Sequence, residues 1–275
     1  MQVSFTENGT VLTGAVLNIQ KTFECGQCFR FIPDGDGYSG VAFGRALHVT
    51  QDGDAVLLYG VRQPEYEEIW ARYFDLDRDY DALSAAFCND ETLRTAYTFS
   101  RGIRILSQDP WETLCSFILS QNNNIPRIRK IIAALCEHFG TPIEGTPFYA
   151  FPTAERLASA GTEGLARVRC GFRAKYVADA AEKVASGTLD LQALRNQPYE
   201  AAKAGLMTIY GVGTKVADCV LLFSLGFYEA FPIDVWVKKV ISKYYGKSFD
   251  GSRFGAYAGI AQQYLFYYER SICGR

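Results

Sequence analysis

The pattern of apolar and polar positions changes at about residue 100. In the first sixty residues, short segments rich in aromatic and β-branched side chains alternate with Asp/Gly turns, a pattern that predicts β-strands. The predicted strands are residues 28–33, 37–43, 46–51 and 55–59. From Pro64 the apolar spacing becomes helical, because Ile69, Trp70, Tyr73 and Phe74 share one helical face.

After residue 100 the pattern is helical almost to the end of the sequence. Asp109 before Pro110 predicts a capped helix start, and Gly140 predicts a helix end. The predicted helices are residues 110–120, 126–139, 154–160, 173–186, 190–204, 214–225, 234–245 and 253–270. Because strands and helices are segregated, the fold class is α+β, which argues against a Rossmann or barrel enzyme. We expect an antiparallel β-sheet domain with flanking helices in residues 1–100, packed on a helical region in residues 101–275.

Composition and charge narrow the functional classes. The chain has 275 residues, 48% hydrophobic and 21% charged, values typical of a globular protein. No apolar run approaches the ~20 residues that cross a bilayer, and the N-terminus lacks the pattern of a secretory signal. The net charge of −2 conceals an asymmetry: residues 1–100 carry 7 Lys/Arg and 15 Asp/Glu, whereas residues 101–275 carry 21 and 15. A polyanionic partner is therefore expected on the helical region, although solvated surface charge is an equally good interpretation.

The eight cysteines do not form a metal-binding pattern. Cys25 and Cys28 make one C-x-x-C, but no second pair follows, and His48 and His138 are the only histidines. We therefore expect no metal, iron–sulfur cluster or other cofactor, and we interpret Cys25 and Cys28 as two buried, reduced thiols.

The most informative segment is a turn between two predicted helices. Gly211-Val212-Gly213 is followed directly by a helix, whose first-turn amides and dipole suit one phosphate group. The spacing is not that of a Walker loop, and no strand precedes it. A tight helix–helix connection is the alternative interpretation.

The helix after this turn carries candidate chemistry. Lys215 lies in the first turn, where a cation opposes the helix dipole, and Cys219 lies on the same face. Lys215 is therefore a candidate nucleophilic amine, although a lysine whose head group reaches water is the commoner case. Asp234 precedes another helix and predicts an N-cap, or a carboxylate that stabilises a positive transition state.

These residues resemble the helix-hairpin-helix DNA glycosylases, and specifically the 8-oxoguanine DNA glycosylase family. The resemblance extends through nearly the whole chain in ordered motifs. They are Gly26-Gln27-Cys28-Phe29-Arg30, Gln108-Asp109-Pro110, Phe117-Ile118, Asn122-Asn123-Asn124-Ile125 with Arg127, Gly171-Phe172-Arg173-Ala174-Lys175-Tyr176, the Gly211–Cys219 segment, Pro232-Ile233-Asp234, and Ala258-Gly259 with Ala261-Gln262 and Leu265-Phe266.

The resemblance implies a bifunctional glycosylase and lyase. Lys215 would attack C1′ of the damaged nucleotide, expel the base and form a Schiff base that permits β-elimination. Asp234 would stabilise the positive charge of the transition state. The Gly26 carbonyl would read N7–H of 8-oxoguanine, and the base would lie between Phe266 and Cys219. Gln262 would meet its Watson–Crick edge.

Each of these base-binding residues also has a structural interpretation, since Gly26 could serve a turn and Phe266 the core. For the DNA gap the resemblance implies Asn122 as the filling residue, Arg127 and Arg173 as readers of the opposite cytosine, and Phe172 as an aromatic wedge. The three asparagines could otherwise form a polar loop.

Phosphate contacts are expected at Gly211, Gly213 and Lys238. The chain departs from the family at three positions. Phe172 stands where many relatives have Tyr, Tyr210 replaces the usual Pro, and Trp236 replaces a phosphate-contacting His, which puts that contact in doubt.

Two alternatives remain open at this point. One is a sibling glycosylase for another damaged or mismatched purine, and the other is a non-catalytic helix-hairpin-helix protein that only binds DNA. The resemblance favours double-stranded DNA containing 8-oxoguanine as the partner, with no membrane association and a monomer. The expected location is the cytoplasm of a prokaryote, or the nucleus of a eukaryote.

Overall fold

The computed structural model describes residues 1–87, 89–246 and 248–273; Cys88 therefore lies outside the described residues. The first part of the chain forms a six-stranded antiparallel sheet with the strand order β1-β2-β6-β5-β4-β3. The strands are β1 (Gln2–Thr6), β2 (Gly9–Thr13), β3 (Ile32–Asp34), β4 (Gly37–Ala42), β5 (Arg45–Asp52) and β6 (Ala55–Tyr59).

Most of the remaining regular structure in the described chain is helical. The α-helices are α1 (Ile19–Glu24), α2 (Gln63–Glu65), α3 (Ala71–Tyr73), α4 (Tyr80–Ala86), α5 (Glu91–Ser100), α6 (Pro110–Ser120), α7 (Ile125–Phe139), α8 (Ala154–Ala166), α9 (Ala174–Ala185), α10 (Tyr199–Met207), α11 (Thr214–Val220), α12 (Val235–Val240) and α13 (Ala258–Cys273). π-Helical turns span Tyr66–Trp70, Leu221–Leu225 and Ile241–Tyr245, and 3-10 turns span Gly171–Arg173, Ala193–Asn196 and Gly251–Tyr257. No described helix is long and apolar enough to cross a membrane.

The predicted fold class is confirmed, and so are several helix boundaries. The Asp109 side chain accepts a hydrogen bond from the amide of Glu112 at 2.8 Å, which caps α6. Gly140 follows the end of α7. Gly226 and Gly246 end their helical segments with φ values of 83° and 78°, which glycine adopts at little cost.

Other sequence expectations differ from the structure. The strands β1 and β2 were not predicted, and only residues 32–34 of the expected strand 28–33 form a strand; the aromatic residues before it are buried in irregular backbone. The expected helix 190–204 is two segments, because Pro198 forces Gln197 into an extended conformation (φ −96°, ψ 158°). The expected helix 253–270 begins as a 3-10 segment containing Gly255 at φ 66°.

Among the described residues, two large hydrophobic cores and a smaller cluster of Phe231, Val237 and Ala258 stabilise these elements. One lies beneath the sheet, where Phe23, Trp70 and Phe74 pack with strand residues such as Val49 and Leu58. The larger core belongs to the helical body and extends to Leu93 and Ala96 of α5, which packs against α13. The domain division at residue 100 stays a prediction.

Candidate active site

A cleft of about 880 Å³ opens on the helical body. Gly26, Asn122, Lys215, Asp234 and Phe266 contribute to its walls. A small recess of about 50 Å³ shares four of these residues and adjoins the cleft. The recess is lined by the two predicted catalytic residues and all four predicted base-binding residues, namely Lys215, Asp234, Gly26, Cys219, Gln262 and Phe266. The structure thus brings together side chains that are up to 240 positions apart in the sequence.

Lys215 lies in the first turn of α11, directly after Gly213, the N-cap residue. Its Nζ lies 5.1 Å from the ring centroid of Phe117, a cleft residue that sequence reasoning did not single out for a role. One turn later, Cys219 is buried, and burial raises the pKa of its thiol to about 11, against the opposing charge of Lys215. The thiol is therefore protonated at neutral pH and gives Lys215 no anionic partner.

Asp234 caps α12. Its Oδ1 accepts hydrogen bonds from the amides of Trp236 at 2.9 Å and Val237 at 2.8 Å, so the predicted N-cap is confirmed. Because both bonds use Oδ1, Oδ2 is not needed for the cap. The carboxylate is held in one orientation at the wall of the recess.

Gly26 forms a turn after α1 with φ 85°, a value that side-chain-bearing residues rarely adopt. A Cβ at this position would lie 3.5 Å from the Phe266 ring. Gln263, which is buried, donates from Nε2 to the Cys25 carbonyl at 2.8 Å and so holds the turn against α13.

A second glutamine fixes the turn from the other side. Gln27 is fully buried and donates from Nε2 to the carbonyls of Thr22 and Arg104 at 2.9 and 2.8 Å. Its Oε1 accepts from the Leu106 amide at 2.9 Å, and Gln108 donates to its carbonyl at 2.9 Å. Gln27 and Gln108 belong to motifs that carry the family resemblance, but no individual role was predicted for either residue. Their partners lie up to 81 positions away in the sequence, so no local pattern could have assigned these roles.

Gln262 and Phe266 lie one turn apart on α13, as predicted. Gln262 is 4% exposed, and its Oε1 is buried with no hydrogen-bond partner among the residues that the structure describes. Leaving such an acceptor unpaired costs about 1–3 kcal/mol. The recess therefore contains an acceptor that a ligand donor would satisfy.

The three asparagines after α6 have separate roles. Asn122 is exposed and adopts φ 48°, in the left-handed region that asparagine tolerates better than most residues. Asn123 donates to the Leu119 carbonyl at 3.0 Å, and Asn124 caps α7 by accepting from the Arg127 amide at 3.0 Å. Arg127 is exposed in the first turn of α7.

Arg173 and Phe172 differ sharply in exposure. Phe172 is 49% exposed, whereas Arg173 is 3% exposed, with its guanidinium carbon 4.4 Å from the Phe172 ring centroid. Arg173 donates to the carbonyls of Gln121, Asn122 and Cys170. Burial, and then the nearby charge of Arg127, lower the pKa of Arg173.

The predicted phosphate-binding glycines are not equivalent. Gly211 has φ 81°, and a Cβ there would lie 2.5 Å from the Tyr176 ring. Gly213 is extended, and a Cβ there would meet nothing within 4 Å. Lys238 is exposed on α12 and contributes to the cleft.

Cys25 and Cys28 are free, buried thiols, as predicted. Burial raises the pKa of Cys25 to about 12 and that of Cys28 still further. Within the described ranges, no group of three His, Cys, Asp or Glu side chains is arranged to hold a metal ion.

Family models divide the chain between two regions. Residues 11–114 match the 8-oxoguanine DNA glycosylase N-terminal domain, and residues 115–251 match the HhH-GPD superfamily of base excision DNA repair proteins. The chain belongs to the 8-oxoguanine DNA glycosylase family. The resemblance seen in the sequence motifs is therefore confirmed.

Individual members of the family are similar over different lengths. The Saccharomyces cerevisiae N-glycosylase/DNA lyase is 43% identical over 159 residues, which cover 53% of this chain and 42% of that relative. The Arabidopsis thaliana N-glycosylase/DNA lyase OGG1 is 32% identical over 93% of this chain and 78% of its own length. The Clostridium acetobutylicum 8-oxoguanine glycosylase/lyase, solved with duplex DNA containing cytosine opposite 8-oxoguanine, superposes with a TM-score of 0.93 at 35% identity, over 99% of both chains. Membership of this family makes the chain an enzyme of DNA base excision repair with glycosylase and lyase activity.

Proposed function

We propose that this enzyme excises 8-oxoguanine paired with cytosine from duplex DNA, with the damaged base everted into the small recess. The observation that carries the proposal is the unpaired acceptor Gln262 Oε1, buried in a recess that Lys215 and Asp234 also line. A guanine-type base presents N1–H and N2–H donors on its Watson–Crick edge, which would satisfy this acceptor.

Discrimination against guanine is assigned to the Gly26 carbonyl. 8-Oxoguanine carries a hydrogen on N7, which this carbonyl would accept, whereas guanine presents a lone pair there. The absence of a side chain at Gly26 leaves room beside the Phe266 ring for the main chain to approach a base. Phe266 and the uncharged Cys219 thiol would contact the two faces of the base.

Lys215 is assigned as the nucleophile. Its neutral amine forms a bond to C1′ while the bond from C1′ to the base breaks, and the electron pair leaves with the base, which takes up a proton. The C1′–O4′ bond then opens, its electron pair goes to O4′, and one amine proton passes to O4′, which leaves a protonated Schiff base. Loss of a C2′ proton expels the 3′ phosphate, and water hydrolyses the imine to regenerate the lysine.

Asp234 is assigned to stabilise the positive charge that develops on the sugar. A carboxylate fixed by two amide hydrogen bonds needs little reorganisation when that charge appears. It therefore contributes more to the transition state than a mobile side chain would.

The duplex is assigned to the surface around the cleft. Asn122 would fill the gap left by the everted base, and Phe172 would stack beside it. Arg127 and Arg173 would donate to O2 and N3 of the widowed cytosine. Phosphates are assigned to Gly211, Gly213 and Lys238, and the enzyme is proposed to act as a monomer.

Borohydride trapping on a duplex with one 8-oxoguanine opposite cytosine tests the chemistry. The unmodified enzyme and Lys175→Gln, a control that removes an exposed lysine near the hairpin, should form a covalent adduct. Lys215→Gln should bind the duplex but release no base and form no adduct. An adduct with Lys215→Gln would transfer the nucleophile role to another amine. Binding without any adduct in the unmodified enzyme would favour a non-catalytic DNA-binding protein.

A further inference from the structure

We propose that Arg173 is a positioning residue that sets the main chain of Asn122 before DNA is bound; this inference rests on the function proposed above. Asn122 is exposed, yet its backbone has φ 48°, a conformation that requires stabilisation from its surroundings. The buried guanidinium of Arg173 is in contact with the carbonyls on both sides of this strained position.

The hydrogen bonds of Arg173 show how this support is achieved. Nε donates to the Gln121 carbonyl at 2.7 Å, and Nη2 donates to the same carbonyl and to the Asn122 carbonyl at 2.7 Å. Nη1 donates to the Cys170 carbonyl at 3.3 Å. A planar guanidinium bridging two successive carbonyls fixes the φ and ψ angles of Asn122, which lie between the two peptide units, and a lysine ammonium cannot do this in the same geometry.

The number of donors limits what else Arg173 can do. A guanidinium has five N–H groups, and the four hydrogen bonds leave one of the Nη1 hydrogens for the widowed cytosine. Arg127 is exposed on the neighbouring helix α7. Among the described contacts, its side chain donates to no comparable group of carbonyls. The two arginines are therefore unequal: Arg127 has its whole guanidinium for the cytosine, whereas Arg173 keeps one hydrogen for the cytosine and acts chiefly through Asn122.

A duplex without a partner base separates these two roles. Single-turnover excision is measured on 8-oxoguanine opposite cytosine and opposite a tetrahydrofuran abasic analogue, which offers no acceptor to read. Arg173→Gln and Arg173→Lys should each lose about tenfold on the abasic-partner duplex, since misplacement of a positioning group by a fraction of an ångström lowers rates on this scale. Arg167→Gln, which removes the charge of an exposed arginine from the same segment, should match the unmodified enzyme.

A double-mutant cycle connects the effect to Asn122. In an Asn122→Gly background, no side chain remains to be placed, so adding Arg173→Gln should cost less than about threefold on the abasic-partner duplex. Hydrogen exchange of the DNA-free protein gives a readout independent of catalysis: Arg173→Gln should accelerate exchange in the segment 121–124, with thermal unfolding confirming the fold. The hydrogen-exchange comparison also tests the positioning role of Arg173 if the unmodified enzyme does not process the abasic-partner duplex.

The failure of this proposal is distinguishable from failure of the function itself. The positioning role would be overturned if Arg173→Gln left hydrogen exchange in residues 121–124 unchanged and lowered excision only on the cytosine duplex. The proposed excision activity would then still stand. An unmodified enzyme that excises no 8-oxoguanine opposite cytosine would instead contradict the proposed function.

Discussion

Gln263 Nε2 donates a 2.8 Å hydrogen bond to the carbonyl of Cys25, a residue 238 positions away in the sequence. This bond joins the turn that carries Gly26 to the helix that carries Gln262 and Phe266. Both partners are buried, so the bond is shielded from water and fixes the spacing between the two sides of the small recess.

Gln263→Met keeps the approximate volume of the side chain and removes this bond. We expect excision of 8-oxoguanine to fall about tenfold, because the unpaired Cys25 carbonyl and a loosened turn together cost about 1–2 kcal/mol. Strand cleavage at a preformed abasic site needs no base recess and should be nearly unchanged. Gel assays of both substrates under single-turnover conditions make the comparison, and an equal loss on the two would assign Gln263 to general stability.

Gly211→Ala and Gly213→Ala should separate folding from DNA contact. An added Cβ at Gly211 would lie 2.5 Å from the Tyr176 ring at φ 81°, so we expect a loss of unfolding free energy of about 2 kcal/mol or more. Gly213 has open space and an extended backbone, so its substitution should leave stability within about 0.5 kcal/mol. Urea titrations report stability, and fluorescence anisotropy reports duplex affinity, which the Gly213 variant should lower if a phosphate approaches there. Equal stabilities of the two variants would contradict the steric argument.

Cytosine opposite the lesion should be strongly preferred. Two guanidinium groups offer only donors, and cytosine supplies O2 and N3 as acceptors, whereas adenine offers N1 beside a donor. An unpaired donor in the gap costs about 1–3 kcal/mol, so single-turnover rates should be about ten- to a hundredfold higher opposite C than opposite T, G or A. Arg127→Met should flatten this order more than it lowers the rate opposite C. Equal excision rates opposite all four partner bases in the unmodified enzyme would contradict the assignment of Arg127 and Arg173 to the opposite cytosine.

Glu112 gives a prediction for stability against pH. It lies on α6, 3.5 Å from Arg30, and burial raises its pKa to about 7, against the opposing charge of Arg30. The folded state therefore retains a proton that the unfolded state has lost between about pH 4.3 and pH 7, so unfolding free energy should fall as pH rises through this window. At about 1.36 kcal/mol per pKa unit, the loss is on the order of 3–4 kcal/mol.

Glu112→Gln removes this ionisation, so its stability relative to the unmodified protein should rise between pH 5 and pH 8. Urea unfolding at both pH values gives the difference. A constant difference between the two proteins would show that Glu112 titrates as an ordinary carboxyl group.

The sequence was sufficient for the parts of the site that follow local rules. The Asp234 cap, the Gly211–Gly213 turn and the i, i+4 pair Gln262 and Phe266 are all local in sequence. The α+β class followed from the change in hydrophobic period at about residue 100.

Long-range contacts could not be predicted in this way. Gln27 and Gln263 are polar residues whose partners lie up to 238 positions away, and no local pattern identifies such a pair. The edge strand β1 does alternate polar and apolar residues, but it is only five residues long and mostly exposed, so its alternation was too short to be assigned as a strand. Arg173 was expected to face the cytosine, and its burial among three carbonyls depends on how α6 and α9 pack.

The recess draws its walls from Gly26, near one end of the chain, and Phe266, near the other, while Lys215 belongs to a local hairpin between them. An incomplete chain, still on the ribosome without α13, would therefore carry the proposed nucleophile but lack the proposed compartment for a base. We expect selectivity only once α13 has docked. Excision of 8-oxoguanine is consequently an assay for complete folding, whereas reaction of the amine with an abasic sugar is not.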